Sequence, residues 1–273
     1  MFNLSNSETL KFKWANTKKA SILNLLSRFF FFRAHIFLEI ETPHYKMRTA
    51  NNLLDLFFAL RLRFLCFTKE LKRLHFIPLD VDKFDWLADH LLIYSKDNGQ
   101  LVGTYRLLSS LFTENFYSET EFDLKQLRKN SRHLLELGRA CTHPEFRGHN
   151  LVDLLWKGIA SYAAETKATH LFGCTSIKTL DHQKGQNLLQ YFKDKGFHSD
   201  DYNIQSFFPL NITTANSLDI SDAVPPLLKA YMLAGAKVYG GPFVDLEFKC
   251  MDFLTILHLN HVTPSFKRRY FSC

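Results

Sequence analysis

The sequence predicts a mixed α/β domain whose central, mostly antiparallel sheet is flanked by helices. Three observations lead there. The stretch Leu134–Tyr162 reads as a strand to about Thr142, a turn opened by His143-Pro144, and a helix from about Asn150. In that helix Leu151, Leu155, Ile159 and Tyr162 recur at helical spacing. Lys96-Asp97-Asn98-Gly99 stands between two apolar runs, which is a hairpin signal for an antiparallel pair. The length of 273 residues suffices for one domain with a proper core, and neither a repeat nor a composition break divides it.

The elements follow in order. Residues 1–43 form an N-terminal extension and 44–273 the domain. His44–Thr49, after Pro43, is a first strand. A helix over Asn52–Leu74 follows from Leu53, Leu54, Phe57, Phe58, Leu60 and Phe64 at three- and four-residue steps. Strands are expected at Asp89–Tyr94 and Leu101–Leu108, on either side of the Asp-Asn-Gly turn, then at Leu134–Thr142 and Thr169–Ile177. A polar-faced helix spans Asp181–Lys195 and stops at Gly196. Pro225 opens a helix to Leu233, since proline fits a first helical turn. Gly235, Gly240, Gly241 and Pro242 read as a loop, and Phe253–Leu259 as the last strand.

Composition narrows the function. The chain is 46% hydrophobic and 22% charged, which is globular and not disordered. Its 27 phenylalanines fit either a compositional bias or a lipid-handling interior. A net charge of +7 favours acidic partners, an anionic membrane or an acidic carrier protein. No zinc spacing or arginine-rich tract points to nucleic acid. Five scattered cysteines suit a reducing, cytoplasmic compartment, and the 12 histidines form no metal-ligand pair, so no metal is expected. Residues 21–40 are the nearest approach to a membrane segment, but Arg28, Arg33 and Glu39 interrupt them. The Phe29–Phe32 run reads either as a peripheral contact with the inner face of the membrane or as a cap on the domain's own core.

The string E-L-G-R-A-C-T-H-P-E-F-R (Glu136–Arg147), with L-L-W-K-G-I-A (Leu154–Ala160) and L-F-G-C-T-S-I (Leu171–Ile177), resembles the acyltransferases that make lyso-ornithine lipid. Tyr45–Ala50, Ala59–Arg63, Gly103–Leu108, Tyr117–Leu124 and Thr263–Tyr270 are similar to further motifs in that family's order. Where the family usually has Phe four residues after the first arginine, this chain has Leu65. The resemblance implies a GNAT-like fold, shared with N-acyl amino acid synthases and acyl-homoserine lactone synthases. It also implies transfer of a fatty or 3-hydroxy fatty acyl group from acyl carrier protein to an amino acid's α-amine, with ornithine the first expectation. No tightly bound cofactor is implied beyond the acyl-phosphopantetheine donor. Other N-acyl amino acids, a lactone product, or a non-catalytic acyl-binding membrane protein stand as alternatives.

That chemistry needs an acceptor for the amine's proton and donors for an oxyanion. Glu136 and Arg139 are the catalytic candidates, at the spacing of the acidic residue and arginine of the related autoinducer synthases; an ordinary salt bridge is the alternative. Strand alternation points them to opposite faces unless a bulge intervenes. Asp82, Asp85 and Arg106, with Arg61 or Arg63, fall where those synthases place a polar cluster. They read equally as an amino-acid site or as a structural ion-pair network. His143, Arg147, Gly148, His149 and Asn150 occupy the loop where acyl-coenzyme A enzymes of the superfamily hold pyrophosphate. His149 and Asn150 break the glycine pattern there, which fits the single phosphate of a phosphopantetheine arm better. Cys141 and Cys174 have no histidine at nucleophile spacing, so direct transfer is expected.

Overall fold

A computed structural model describes residues 31–71, 78–148, 151–210 and 220–271. Among these residues nine strands form one sheet: β1 (Glu39–Glu41), β2 (Tyr45–Thr49), β3 (Asp89–Ser95), β4 (Leu101–Ser109), β5 (Leu134–Thr142), β6 (His170–Ile177), β7 (His198–Ser199), β8 (Lys237–Asp245) and β9 (Cys250–His258). Their order is β1-β2-β3-β4-β5-β6-β9-β8-β7. Only β5–β6 and β7–β8 pair in parallel; the other neighbours are antiparallel. Among the described residues six helices flank the sheet: α1 (Leu53–Leu71), α2 (Lys125–Asn130), α3 (Leu151–Glu165), α4 (His182–Asp194), α5 (Pro226–Ala234) and α6 (Pro264–Tyr270).

Alternation along the strands splits the core between two faces. On one face Leu91, Ile93, Leu107, Leu135 and Leu137 pack against Leu151, Leu154, Leu155 and Ile159 of α3 and against Tyr231 of α5. Met251 and Phe253 continue that layer under Leu188 and Phe192 of α4. On the other face Leu92 meets Leu56, Ala59 and Leu60 of α1, while Leu108, Leu134, Phe172 and Leu254 meet Phe116, Phe122, Leu124 and Leu127. Local chemistry sets the ends. Asp181 caps α4 by accepting from the amides of Gln183 and Lys184, and Gly235 ends α5 in the left-handed region at φ +105°.

Three features differ from expectation. The predicted loop through Gly240, Gly241 and Pro242 is strand β8. The register slips between Tyr239 and Phe243, and Gly240 at φ +66° takes up the irregularity. Residues 32–41 are stitched onto the domain: Asp89 accepts from the amides of His35 and Ile36 at 2.9 Å each, and β1 extends the sheet. Phe32 is buried with Ala50 and Leu56, whereas Phe31 is 77% exposed. The two readings of the phenylalanine run therefore split at adjacent residues; residues 28–30 lie outside the described chain. Among the described residues no helix is long and apolar enough to cross a membrane.

Where β5 and β6 are still close, Gly173 leaves room for the facing backbone, because a Cβ there would collide with the Leu137 carbonyl oxygen. Gly173→Ala is expected to cost roughly 1–3 kcal/mol by overpacking against a backbone that cannot yield cheaply. Gly241→Ala, which meets nothing within 4 Å, should be near neutral. Urea unfolding of both variants checks this; equal stability of the two would contradict the close approach.

Candidate active site

Strands β5 and β6 pair only from Leu134 to Glu136 and from His170 to Phe172. Beyond that β5 stays with β4 and β6 with β9, so the sheet opens between them into a cavity of about 270 Å³. The opening has two characters because it reaches both faces. On the α3 and α5 side it is lined by Leu137, Leu171, Leu227, Tyr231 and Leu257, with the Tyr105 and Tyr231 hydroxyls hydrogen-bonded to each other. On the other side its wall is polar: Glu136, Arg139, Tyr117, Cys174, Ser176, Asp245, Cys250 and Asp252.

Glu136 and Arg139 share the polar wall because a bulge intervenes. Arg106 faces Gly138 and Thr104 faces Cys141, so β5 sets two residues, Arg139 and Ala140, against Tyr105 alone. Arg139 sits at φ +52°, a strained conformation for a side chain of this size. The turn carries its guanidinium back to the Glu136 face, over the Tyr117 ring at 4.6 Å and the Phe248 ring at 5.3 Å.

Behind this wall lies a buried ion cluster. Arg63 donates to Asp85 at 2.5 Å and to Asp80 at 2.7 Å, and Arg106 donates to Asp82 at 2.7 and 2.8 Å and to Asp85 at 3.2 Å. Arg139 joins through Asp82 at 3.2 Å. Burial opposes the Asp85 charge, but Arg63 and Arg106 outweigh it and hold the carboxyl well below the usual range. Burial pushes the neighbouring His90 down to about 4. Of the cluster's predicted residues only Arg139 lines the cavity; Arg63, Asp82, Asp85 and Arg106 stand behind it. Arg61, two residues from Arg63 on α1, turns outward and is exposed.

Glu136 is 2% exposed and accepts three hydrogen bonds: from the Tyr117 amide at 2.7 Å, the Ser118 amide at 2.6 Å and the Ser118 hydroxyl at 2.5 Å. It thereby holds the 3₁₀ turn Tyr117–Thr120 against β5. Burial raises its pKa against the pull of those donors and of Arg106. Cys174 donates to the Ser118 hydroxyl at 3.3 Å. Burial, with Glu121 beside it, pushes that thiol well above its ordinary value, and a hydrogen bond with Cys66, then burial, does the same for Cys141. Neither is poised as a thiolate.

The loop between β5 and α3 carries the remaining expected residues. His143 caps the 3₁₀ turn Pro144–Phe146 and stacks edge-on to Phe146; Arg147 is exposed, and Gly148 is left-handed at φ +89°. His149 and Asn150 lie outside the described residues.

Sequence reasoning missed a second acidic group. Asp245 and Asp252 line the cavity, and Glu121 follows the turn that Glu136 holds. All three are buried. Burial, and then Asp252, push Glu121 up to about 8; burial outweighs the help of Ser176 and brings Asp252 to about 6. No periodicity marks these residues, because only the adjacency of β6, β9 and β8 gathers them.

Residues 62–157 match the acetyltransferase (GNAT) domain family. The chain is 30% identical over 244 residues to an L-ornithine N(alpha)-acyltransferase of Rhodobacter capsulatus, covering 83% of this chain and 94% of that protein. It is also 30% identical over 248 residues to an L-ornithine N(alpha)-acyltransferase of Brucella abortus, covering 82% and 88%. Among solved structures the AHL synthase LasI superposes with a TM-score of 0.50 at 14% identity, over 84% of this chain and 95% of that one, and so shares the fold.

The raised Glu121 pKa has a signed consequence. A carboxyl at about 8 when folded and about 4.3 when unfolded binds more protons in the folded state between those values, so its contribution to stability is lost as pH rises. Glu121→Gln should therefore gain stability relative to the parent from pH 5 to pH 8, at most about 1.4 kcal/mol per pH unit. Denaturant unfolding of the pair at several pH values checks this, and a pH-independent difference would contradict it.

Proposed function

The chain belongs to the L-ornithine N(alpha)-acyltransferase family, and on that premise we propose that it moves a fatty acyl group from a thioester donor to the α-amine of ornithine. The observation that carries this reading is the opening between β5 and β6, apolar toward α5 and polar at Glu136 and Arg139. The acyl chain lies along Leu171, Leu227 and Leu257, and the amino acid enters from the polar wall. Every second amide of a strand points to each edge, so the unpaired edge of β5 beyond Glu136 presents donors to the thioester oxygen as it becomes an oxyanion.

The amine nitrogen attacks the thioester carbon, the C–S bond breaks, and the thiol leaves. Glu136 takes the amine's proton and returns one to the departing sulfur. Its three hydrogen bonds leave acceptor capacity on Oε2, and its burial makes it more basic than an exposed carboxylate. Arg139 pairs with the acceptor's α-carboxylate. Arg63, Asp82, Asp85 and Arg106 are positioning residues that hold Arg139 and β5 in place. His143, Arg147 and Gly148, with His149 and Asn150 next in the chain, receive the phosphate of the donor's phosphopantetheine arm. The apolar residues exposed at Phe31, Leu53, Leu54 and Phe57 support peripheral contact with a lipid surface, as expected at the cytoplasmic face of a membrane.

Glu136→Gln keeps the side chain's size but removes its basicity. Turnover of acyl donor and ornithine should fall about 10²-fold or more while the protein remains folded. A folded variant with near-normal turnover would reduce Glu136 to an anchor for the Tyr117–Thr120 turn.

Acyl carrier protein is the proposed donor, drawn to the chain's net charge of +7. The rate with acyl carrier protein should fall steeply as salt rises from low ionic strength, because screening shortens the attraction. Equal efficiency with acyl-coenzyme A, together with insensitivity to salt, would refute that donor.

A further inference from the structure

The polar branch of the opening ends on carboxylates that the transfer itself does not use. Asp252 on β9 lies between Ser176 of β6 and Phe243 of β8. Asp245 closes β8 opposite Cys250, and the ligating atoms of Asp245, Cys250 and Asp252 lie within 4.8 Å of one another. Glu121, just after the Tyr117–Thr120 turn, adjoins this group closely enough for the Asp252 and Asp245 charges to act on it. It is 2% exposed, and its Oε2 is buried without a hydrogen-bond partner. Among the described residues none of the three carboxylates has an ion pair with lysine or arginine; Arg139, whose charge reaches Asp252, is itself bonded to Asp82. Buried carboxylates without a counter-ion are costly, and a cation entering from the cavity would relieve them.

We propose that Glu121, Asp245 and Asp252 bind the second, positively charged amine of the amino-acid acceptor. This rests on reading the chain as an ornithine N-acyltransferase and names what selects the acceptor. An ammonium carries three donors, which the clustered oxygens of Asp245 and Asp252 accept, with the nearby Glu121 carboxyl adding to the same electrostatic site. Glu136 and the acidic group line or adjoin one cavity, so a short aliphatic chain spans from the reacting amine to the charged one. A metal ion fits less well. The Cys250 thiol donates to Asp252 at 3.7 Å and is raised by burial, so it is a proton donor here and not a thiolate ligand. Burial and neighbouring carboxylates raise both Glu121 and Asp252, an effect a bound ammonium would offset.

The test compares ornithine with 2-aminopentanoate, which is ornithine without its side-chain amine, at fixed acyl donor. The ratio of their kcat/KM values should exceed about tenfold in the parent, since charge-assisted hydrogen bonds are at stake, and should collapse toward unity in Asp252→Asn and in Glu121→Gln. Folded variants that keep the parent's ratio would overturn the proposal. The parent alone supplies a second readout that needs no variant. Its ratio should rise between pH 5.5 and 8 as the carboxyls ionise among Tyr117, Arg139, Cys174, Ser176, Asp245 and Cys250; a flat ratio would overturn it. Loss of the ornithine preference on adding a chelator would assign the group to a metal instead and also overturn it. A parent that acylates neither compound refutes the ornithine reading, and the proposal with it. A parent that acylates ornithine with unchanged preference in the variants refutes the proposal alone.

Discussion

Three arginines and three aspartates between α1, the segment Asp80–Asp85 and β4–β5, with Arg63, Asp85 and Arg106 closed off from water at their centre, hold the structure in the shape its chemistry needs. The cluster is expensive, because each ion loses hydration that only good geometry restores. Hydrophobic residues of the same volume would often stabilise a fold as well. Here the charges do something apolar packing would not: they fix the position of Arg139 at the end of a left-handed bulge. Removing Arg63 or Arg106 would leave buried Asp85 with one cation where it now has two, and removing Asp85 would leave Arg63 to Asp80 and Arg106 to Asp82 alone.

The bulge and the parting of β5 from β6 are neighbouring events with one outcome. The parting creates an opening across the sheet, and the bulge brings a cation to the polar side of it, next to Glu136. A closed sheet would offer no route between its apolar and polar faces. With the opening, a substrate that is lipid at one end and zwitterion at the other finds both environments about one sheet thickness apart. Glu136 links this chamber to the Tyr117–Thr120 turn and so to Glu121, which follows that turn directly.

Much of this was legible in the sequence where local chemistry decided it. β5 spans Leu134–Thr142 as its apolar pattern predicts, and Gly196 and Gly235 mark helix ends through backbone conformations that favour glycine. Tertiary context decided the rest. Gly240-Gly241-Pro242 has the chemistry of a loop, yet β9 supplies a partner that holds it as an irregular strand. The two-residue β7 is too short to show a period. Alternation alone set Glu136 and Arg139 on opposite faces, and only the pairing with β4 reveals the extra residue. Asp82, Asp85 and Arg106 stood out through the resemblance to the related synthases' polar cluster, but their place behind the wall depends on how α1 packs. The acidic group of Glu121, Asp245 and Asp252 left no trace, since its members are remote in the chain and meet through strand order alone.

The claim on which the rest depends is that the acyl donor threads the opening between β5 and β6. An experimental structure with a non-hydrolysable acyl-phosphopantetheine analogue tests it directly. The analogue's carbonyl should lie between Glu136–Ala140 and Phe172–Thr175, with the acyl chain against Leu171, Leu227 and Leu257. An analogue bound elsewhere, with the opening filled by side chains, would contradict it.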